Sequence, residues 1–220
     1  MKTSAILLAG GSGTRMKSSF PKQFMILNDR PIALFSFDIL CHSPEVSEII
    51  VVCAPEYRSL FHTQSKPLAF ASPGVRRQDS VFNGFLQTDK ESMYICIHDA
   101  ARPFMTQRIL EDVLHAAYQH HASCAAVPMK NTIKQSDESQ FVIKTLERSS
   151  LWEIQTPQAL SRNLVERGFS YIQENPLTIT DDVSLAELQG VKAKLVFASY
   201  ENIKITTPDD LFVSQFLLSR

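Results

Sequence analysis

Two phosphate-binding signatures are missing from this sequence. It has no Gly-Lys-Ser or Gly-Lys-Thr, so it carries no P-loop. Counted from Gly11, the last glycine of a dinucleotide fingerprint falls on Met16, so that pattern fails too. There is no excess of one charge. Lys and Arg total 22 against 23 Asp and Glu, a formal net charge of −1. That removes the broad basic footprint of a nucleic-acid binder, and an anionic ligand must be held by local cations. No apolar run nears the ~20 residues of a membrane span. The four cysteines, Cys41, Cys53, Cys96 and Cys124, show no C-x-x-C spacing. Zinc and dithiol chemistry are therefore disfavoured, and buried thiols in a reducing cytoplasm are expected. Repeats, low-complexity tracts and linkers are absent as well, which leaves a single domain over 1–220 as the simplest reading.

Glycine is scarce, with seven in 220 residues, and this makes its placement informative. Gly10, Gly11 and Gly13 fall within four positions, directly after the apolar run Ala5-Ile6-Leu7-Leu8-Ala9. The pattern is a buried strand delivering a turn without side chains. Such a turn can press its N–H groups against a ligand, and consecutive N–H groups form an anion-binding concavity. Arg15 and Lys22 add two cations just beyond it. Together they suit a polyphosphate.

Strand and helix signals alternate through the first half. Ile49–Cys53, Leu68–Ala71, Tyr94–Ile97 and Ala125–Val127 read as strands. Pro31 opens a helical run over 32–40, and further helices are expected over 55–64, 79–87 and, capped by Thr106, to about His120. Continuous apolar strands between helices imply an α/β protein with a mostly parallel central sheet covered on both faces. Ligands in such sheets gather beyond the carboxyl ends of the strands. The glycine turn and the run His98-Asp99-Ala100-Ala101-Arg102-Pro103 both sit at such ends, so they should face one crevice.

The alternation breaks after Pro128. Thr132-Ile133-Lys134 and Phe141–Thr145 flank a polar turn and read as a projecting β-hairpin arm at about 131–150. The arm is too small to be stable alone, so a partner surface, such as a second subunit, should hold it. Ser161 is expected to cap a helix, and Thr180-Asp181-Asp182 to open another with acids in its first turn. Lys194–Phe197 reads as a strand, and Thr207-Pro208-Asp209-Asp210 as the start of the last helix.

Asp99 ends a strand at the expected crevice, and a carboxylate beside a polyphosphate suits Mg²⁺. His98 reads as a packed loop histidine and is given no catalytic role. Taken together, the Leu7–Arg15 stretch, Pro21-Lys22-Gln23, His98–Pro103, Leu151–Gln158, Thr180–Asp182 and Asn202–Thr206 resemble the 2-C-methyl-D-erythritol 4-phosphate cytidylyltransferase family. The motifs occur in this order over nearly the whole chain.

The resemblance implies a Rossmann-like nucleotidyltransferase fold. It implies transfer of a cytidylyl group from CTP to 2-C-methyl-D-erythritol 4-phosphate, with Mg²⁺, in the non-mevalonate isoprenoid route. Carried over residue by residue, it places Ala9, Gly10, Gly11, Ser12, Gly13, Thr14, Gly74, Ser80 and Ala100 on CTP. Arg15, Lys22 and Lys204 would act on the reacting groups. Asp99, Arg102, Thr132, Arg148, Thr156, Thr180 and Lys204 would bind the polyol phosphate, with Asp99 also serving the metal. A cytoplasmic homodimer is implied, with Thr132 and Arg148 reaching into the neighbour's site from the arm. Val75, after Gly74, stands where many relatives carry an acidic residue. Two alternatives stay open: a ribitol 5-phosphate cytidylyltransferase, and a non-catalytic nucleotide-binding protein of the same fold.

Overall fold

The computed structural model describes residues 1–11 and 20–219. Ser12, Gly13, Thr14 and Arg15 lie outside the described residues. Strand β1 (Thr3–Leu8) ends at the glycine turn. A 3₁₀ turn (Lys22–Phe24) and a short ribbon, β2 (Ile26–Leu27) and β3 (Arg30–Pro31), lead to helix α1 (Ile32–His42). Then come β4 (Glu48–Val52), β5 (Leu68–Ala71), α2 (Arg77–Phe85), β6 (Tyr94–Asp99), α3 (Gln107–His120) and β7 (Ala122–Pro128). The arm is β8 (Lys134–Ser136) and β9 (Val142–Thr145). The chain returns through β10 (Trp152–Ser161), α4 (Arg162–Glu174), α5 (Ser184–Glu187), β11 (Lys194–Phe197) and α6 (Pro208–Leu218).

One seven-stranded sheet has the order β11-β7-β10-β6-β1-β4-β5. All neighbours pair in parallel except β10, which runs antiparallel to both β6 and β7. The order reverses around β1, which pairs with β4 on one side and β6 on the other. This is the switch point at which α/β sheets open a crevice. The α/β expectation with a mostly parallel sheet is therefore met.

Buried apolar strands give both faces a core. Leu7 and Val51 pack with Phe37, Leu40, Leu110 and Leu114 on one face. Ile6, Ile50 and Val52 pack with Val81, Val165, Phe169 and Leu185 on the other. Each such side chain contributes roughly 1.5–3 kcal/mol by leaving water. Helix α3 shows how the local sequence fixes an element. Leu110, Val113, Leu114 and Ala117 line its buried stripe, the Thr106 hydroxyl accepts from Ile109 N at 3.2 Å, and His121 closes it at φ 69°.

Four boundaries differ from expectation. The helix expected over 55–64 is a 3₁₀ turn, Pro55–Leu60. Helix α2 starts two residues earlier than expected, at Arg77, because Asp79 is its third residue and accepts from Arg76 N at 2.9 Å. Ser161 precedes α4 without a side-chain cap. After Thr180 only the four-residue α5 forms. Asp181 accepts from Ser184 N at 3.2 Å, whereas Asp182 turns inward to meet Arg77. Strand β10 was not expected, and its interior holds Gln155, Thr156 and Gln158.

Candidate functional site

A cavity of about 450 Å³ opens at the carboxyl ends of β1 and β6. The glycine turn (Gly10, Gly11) forms one wall, and Gly74, Val75 and Ser80 at the start of α2 form another. Lys22, Arg76, Arg77 and Lys204 line it against a single carboxylate, Asp99. A chain of net charge −1 thus gathers four cations around one acid. In a partly closed cleft such a cluster focuses positive potential on an anion.

Asp99 organises these charges. Its Oδ2 accepts from Lys204 Nζ at 2.7 Å, and its Oδ1 accepts from Arg77 Nε at 3.2 Å. Arg77 reaches further and donates two parallel bonds, each 2.7 Å, to Asp182. Such a bidentate fork fixes the guanidinium plane. Burial alone would raise the Asp99 carboxyl, but the charges of Arg77 and Lys204 outweigh it and hold it well below the usual carboxylate range. Lys204 is delivered by a loop tied to the site, since Ile205 N donates to the Ala101 carbonyl at 2.9 Å.

Behind Asp99 lies a buried relay. Asp99 N donates to Thr156 Oγ1 at 3.0 Å, and Thr156 Oγ1 lies 3.1 Å from His98 Nδ1. His98 Nε2 lies 3.2 Å from the Arg102 carbonyl, which can only accept, so Nε2 carries the proton. Burial lowers the imidazole to about 4, so it is neutral near pH 7 and Nδ1 accepts from the Thr156 hydroxyl. His98 is a packed histidine, as its loop position suggested. Arg102 donates to the Asn202 carbonyl at 2.7 Å and so braces the loop that carries Lys204. Its buried Nε has no partner among the described residues.

The second wall is equally fixed. Ser80 Oγ accepts from Gly74 N at 2.9 Å. A Cβ on Gly74 would stand 2.4 Å from the Asp79 Cβ, so the close turn onto α2 needs glycine. Val75 is fully exposed at the cavity.

Of the residues singled out in the sequence, Gly10, Gly11, Lys22, Gly74, Ser80, Asp99 and Lys204 meet at this cavity. Ala9 and Ala100 are buried beside it, and Ala101 lines the wall instead of Ala100. Thr156 and Arg102 are buried in the supporting network. Thr132, Arg148 and Thr180 are exposed and do not line it. Arg148 donates to the Lys130 carbonyl at 2.8 Å, at the base of the arm.

The donor set at Asp99 does not fit a resident divalent ion. Each of its oxygens already faces a cation, the neighbouring Asp182 is taken by Arg77, and no three His, Cys, Asp or Glu cluster as ligands among the described residues.

Arg77 and Asp182 carry a structural role that the sequence did not signal. They lie 105 residues apart, and neither spacing nor periodicity links them. Arg76 also lines the cavity. Its only sequence signal is its place beside Gly74, at the head of α2.

Comparison with known proteins agrees with this geometry. The family model described as "IspD: 2-C-methyl-D-erythritol 4-phosphate cytidylyltransferase" matches residues 3–220. The chain is 43% identical to the chloroplastic enzyme of that name from Oryza sativa subsp. japonica, over 98% of this chain and 74% of that protein. It is 42% identical to the one from Chlamydia pneumoniae, over 99% and 100%. Among solved structures, 4-diphosphocytidyl-2C-methyl-D-erythritol synthase from Anaerococcus prevotii superposes with a TM-score of 0.88 at 27% identity, covering 99% and 98%. The Francisella tularensis cytidylyltransferase superposes with 0.84 at 28% identity, covering 98% and 99%. The chain belongs to the IspD family, the 2-C-methyl-D-erythritol 4-phosphate cytidylyltransferases.

Proposed function

We infer that this chain transfers the cytidylyl group of CTP to 2-C-methyl-D-erythritol 4-phosphate, forming 4-diphosphocytidyl-2-C-methyl-D-erythritol and pyrophosphate in the non-mevalonate isoprenoid route. The observation that carries the reading is the cavity itself, where a glycine turn and four cations face one another across Asp99.

The chemistry follows from those charges. A phosphate monoester oxygen attacks the α-phosphorus of CTP. The new P–O bond forms as the bond to the bridging β-phosphate oxygen breaks, and the electron pair leaves with pyrophosphate. The nucleophile is already an anion near pH 7, because its second pKa is ~6. No general base is needed, and neutral, buried His98 is not placed to be one. What the enzyme must supply is relief from repulsion between two anions and stabilisation of charge building around phosphorus. Lys22 and Lys204 line the cavity for this work, and Arg15 completes the set by its place in the motif. Gly10, Gly11, Gly74 and Ser80 hold the nucleotide. Arg102 serves the polyol phosphate by its place in the motif, bracing the loop that carries Lys204. Asp99, whose oxygens are held by Lys204 and Arg77, would not ligate Mg²⁺, which if bound with CTP would neutralise triphosphate charge.

The functional unit is one catalytic domain with a dimerisation arm at about 131–150. Phe141, Val142 and Ile143 are exposed on the arm, and Arg148 and Thr132 lie outside their own chain's cavity. Both facts favour a homodimer in which the arm serves the neighbouring site. No helix among the described residues is long and apolar enough to cross a membrane. Four unpaired, buried cysteines fit a reducing compartment such as the cytoplasm, although the rice relative is named chloroplastic.

Pyrophosphate release from CTP, measured with 2-C-methyl-D-erythritol 4-phosphate and with ribitol 5-phosphate, tests the reading. Turnover should require the first polyol. Preference for ribitol 5-phosphate would change the substrate, and no release with either would leave only a nucleotide-binding protein.

A further inference from the structure

Gln23 is buried at 3% exposure, yet it sits at the wall of a charged cavity. Its Nε2 donates to the Ala9 carbonyl at 2.7 Å and to the Gly11 carbonyl at 3.0 Å. Carbonyl oxygens only accept, so the NH₂ end must face them, and each amide proton has its own partner. The two bonds straddle Gly10 and clamp the described part of the glycine turn from one side. Ala9 is also held by its own N–H, which donates to Val52 at 2.9 Å.

The clamp itself is rigid. Gln23 lies in the 3₁₀ turn Lys22–Phe24, closed by Phe24 N to Pro21 O at 3.0 Å and Met25 N to Lys22 O at 3.1 Å. The Phe24 ring stacks on Tyr57 at 3.9 Å and meets Phe61 edge-on, which anchors the turn in the core. The same turn therefore presents Lys22 to the cavity and Gln23 to the glycine turn.

A carbonyl oxygen facing a triphosphate would repel it. The Ala9–Gly10 peptide is trans, so its N–H points opposite to its carbonyl. Holding the carbonyl on Gln23 therefore fixes the direction of the Gly10 N–H as well. We propose that Gln23 is a positioning residue for CTP: its amide ties up the Ala9 and Gly11 carbonyls and pre-sets the glycine turn for the triphosphate. The proposal rests on the reading that the CTP phosphates lie on this turn. A pre-set turn helps ground state and transition state alike, so its loss raises KM and leaves kcat.

The test uses the full-length protein with Gln23→Met, Gln23→Glu and Lys22→Ala. Kinetics are read by pyrophosphate release at saturating polyol phosphate, and CTP Kd by titration calorimetry. Met keeps the length but cannot donate. Its KM and Kd for CTP should rise at least about tenfold, with kcat within about threefold of wild type. Glu, when ionised, places a third acceptor against two carbonyls, so its loss should be larger at pH 8. It should narrow relative to wild type by pH 5.5, as the carboxyl takes a proton and regains one donor. CTP affinity within twofold of wild type in Gln23→Met overturns the proposal, and so does a fall in kcat at unchanged KM. Should Gln23→Met melt early, the Glu variant decides: a variant-to-wild-type ratio flat with pH means that Gln23 only fills space. Lys22→Ala separates the two levels. Weaker CTP binding in Lys22→Ala without an effect of Gln23→Met refutes the latch alone. Unchanged CTP affinity in both, with unchanged kcat in Lys22→Ala, refutes the phosphate site on which it rests.

Discussion

Asp99 accepts from Lys204 and Arg77 at once, and this decides what its removal should do. Asn keeps the shape but loses the charge that aims both cations. Turnover of Asp99→Asn should fall at least about tenfold, since one misplaced charge-stabilising group alone can cost 10²–10³. The Mg²⁺ concentration for half-maximal rate should stay where it is in wild type. A shift of that midpoint to higher Mg²⁺ would put the metal on Asp99 after all. His98, one residue earlier, is held neutral by burial, which lowers its pKa. Its folded value, about 4, lies below the ordinary imidazole value of 6.5, so the unfolded chain takes up the proton first. The stability that His98 contributes is complete above pH 6.5 and is lost as pH falls from there towards 4. Between pH 7 and 5 the loss is about 2 kcal/mol. In urea melts at those two pH values, His98→Gln should show a smaller difference than wild type, whatever its absolute stability. Equal differences in the two proteins would remove His98 from the acid limb. The strand-end position of Asp99 and the motif around Lys204 were legible in the sequence, because each sits in a local pattern. The Arg77–Asp182 fork was not, because only the folded sheet brings α2 beside the segment before α5.

At the scale of elements, the site depends on how closely α2 lies on the sheet. Gly84 faces β1 and β4, and a Cβ there would stand 2.7 Å from Ile6 Cγ2 and 2.9 Å from Val52 Cγ2. Both methyl groups belong to β-branched, fully buried side chains that cannot swing aside. Alanine would gain up to ~1 kcal/mol of helix propensity, but overpacking costs roughly 1–3 kcal/mol. Gly84→Ala should therefore lower Tm, and because α2 carries Arg77 and Ser80, it should weaken CTP binding too. A variant with raised Tm and normal CTP affinity would show that α2 has room to shift. Strand β10 marks where sequence patterning fails. Its residues read as polar and are interrupted by Pro157, since their side chains hold the site rather than fill a core. Gln158 Oε1 accepts from Asp182 N at 2.8 Å and Val183 N at 2.9 Å, Gln155 Oε1 accepts from Asn202 at 2.8 Å, and Thr156 holds Asp99. The neighbouring β6, apolar and regular up to His98, was plain from the sequence for the converse reason.

At the scale of the whole molecule, four cations line one crevice while the arm exposes apolar side chains. Phe141, Val142 and Ile143 stay between 59% and 73% exposed on a two-stranded ribbon, which is marginal without a partner. A two-fold pair exchanging arms would cover both and would bring Arg148 of each chain to the other's cavity. Shared sites can be tested by mixing two inactive variants, Lys22→Ala and Arg148→Ala, after dissociation and reassociation. Half of the reassembled dimers are then mixed. If the arm crosses over, each mixed dimer has one site with both defects and one with neither, so about a quarter of wild-type activity should return. If each chain supplies its own Arg148, both sites of a mixed dimer carry one defect and nothing returns. Subunit exchange is scored separately, with differently tagged chains, so that a silent mixture can be assigned. Light scattering at assay concentration provides the prior check, because a monomer with full turnover is incompatible with a borrowed arginine.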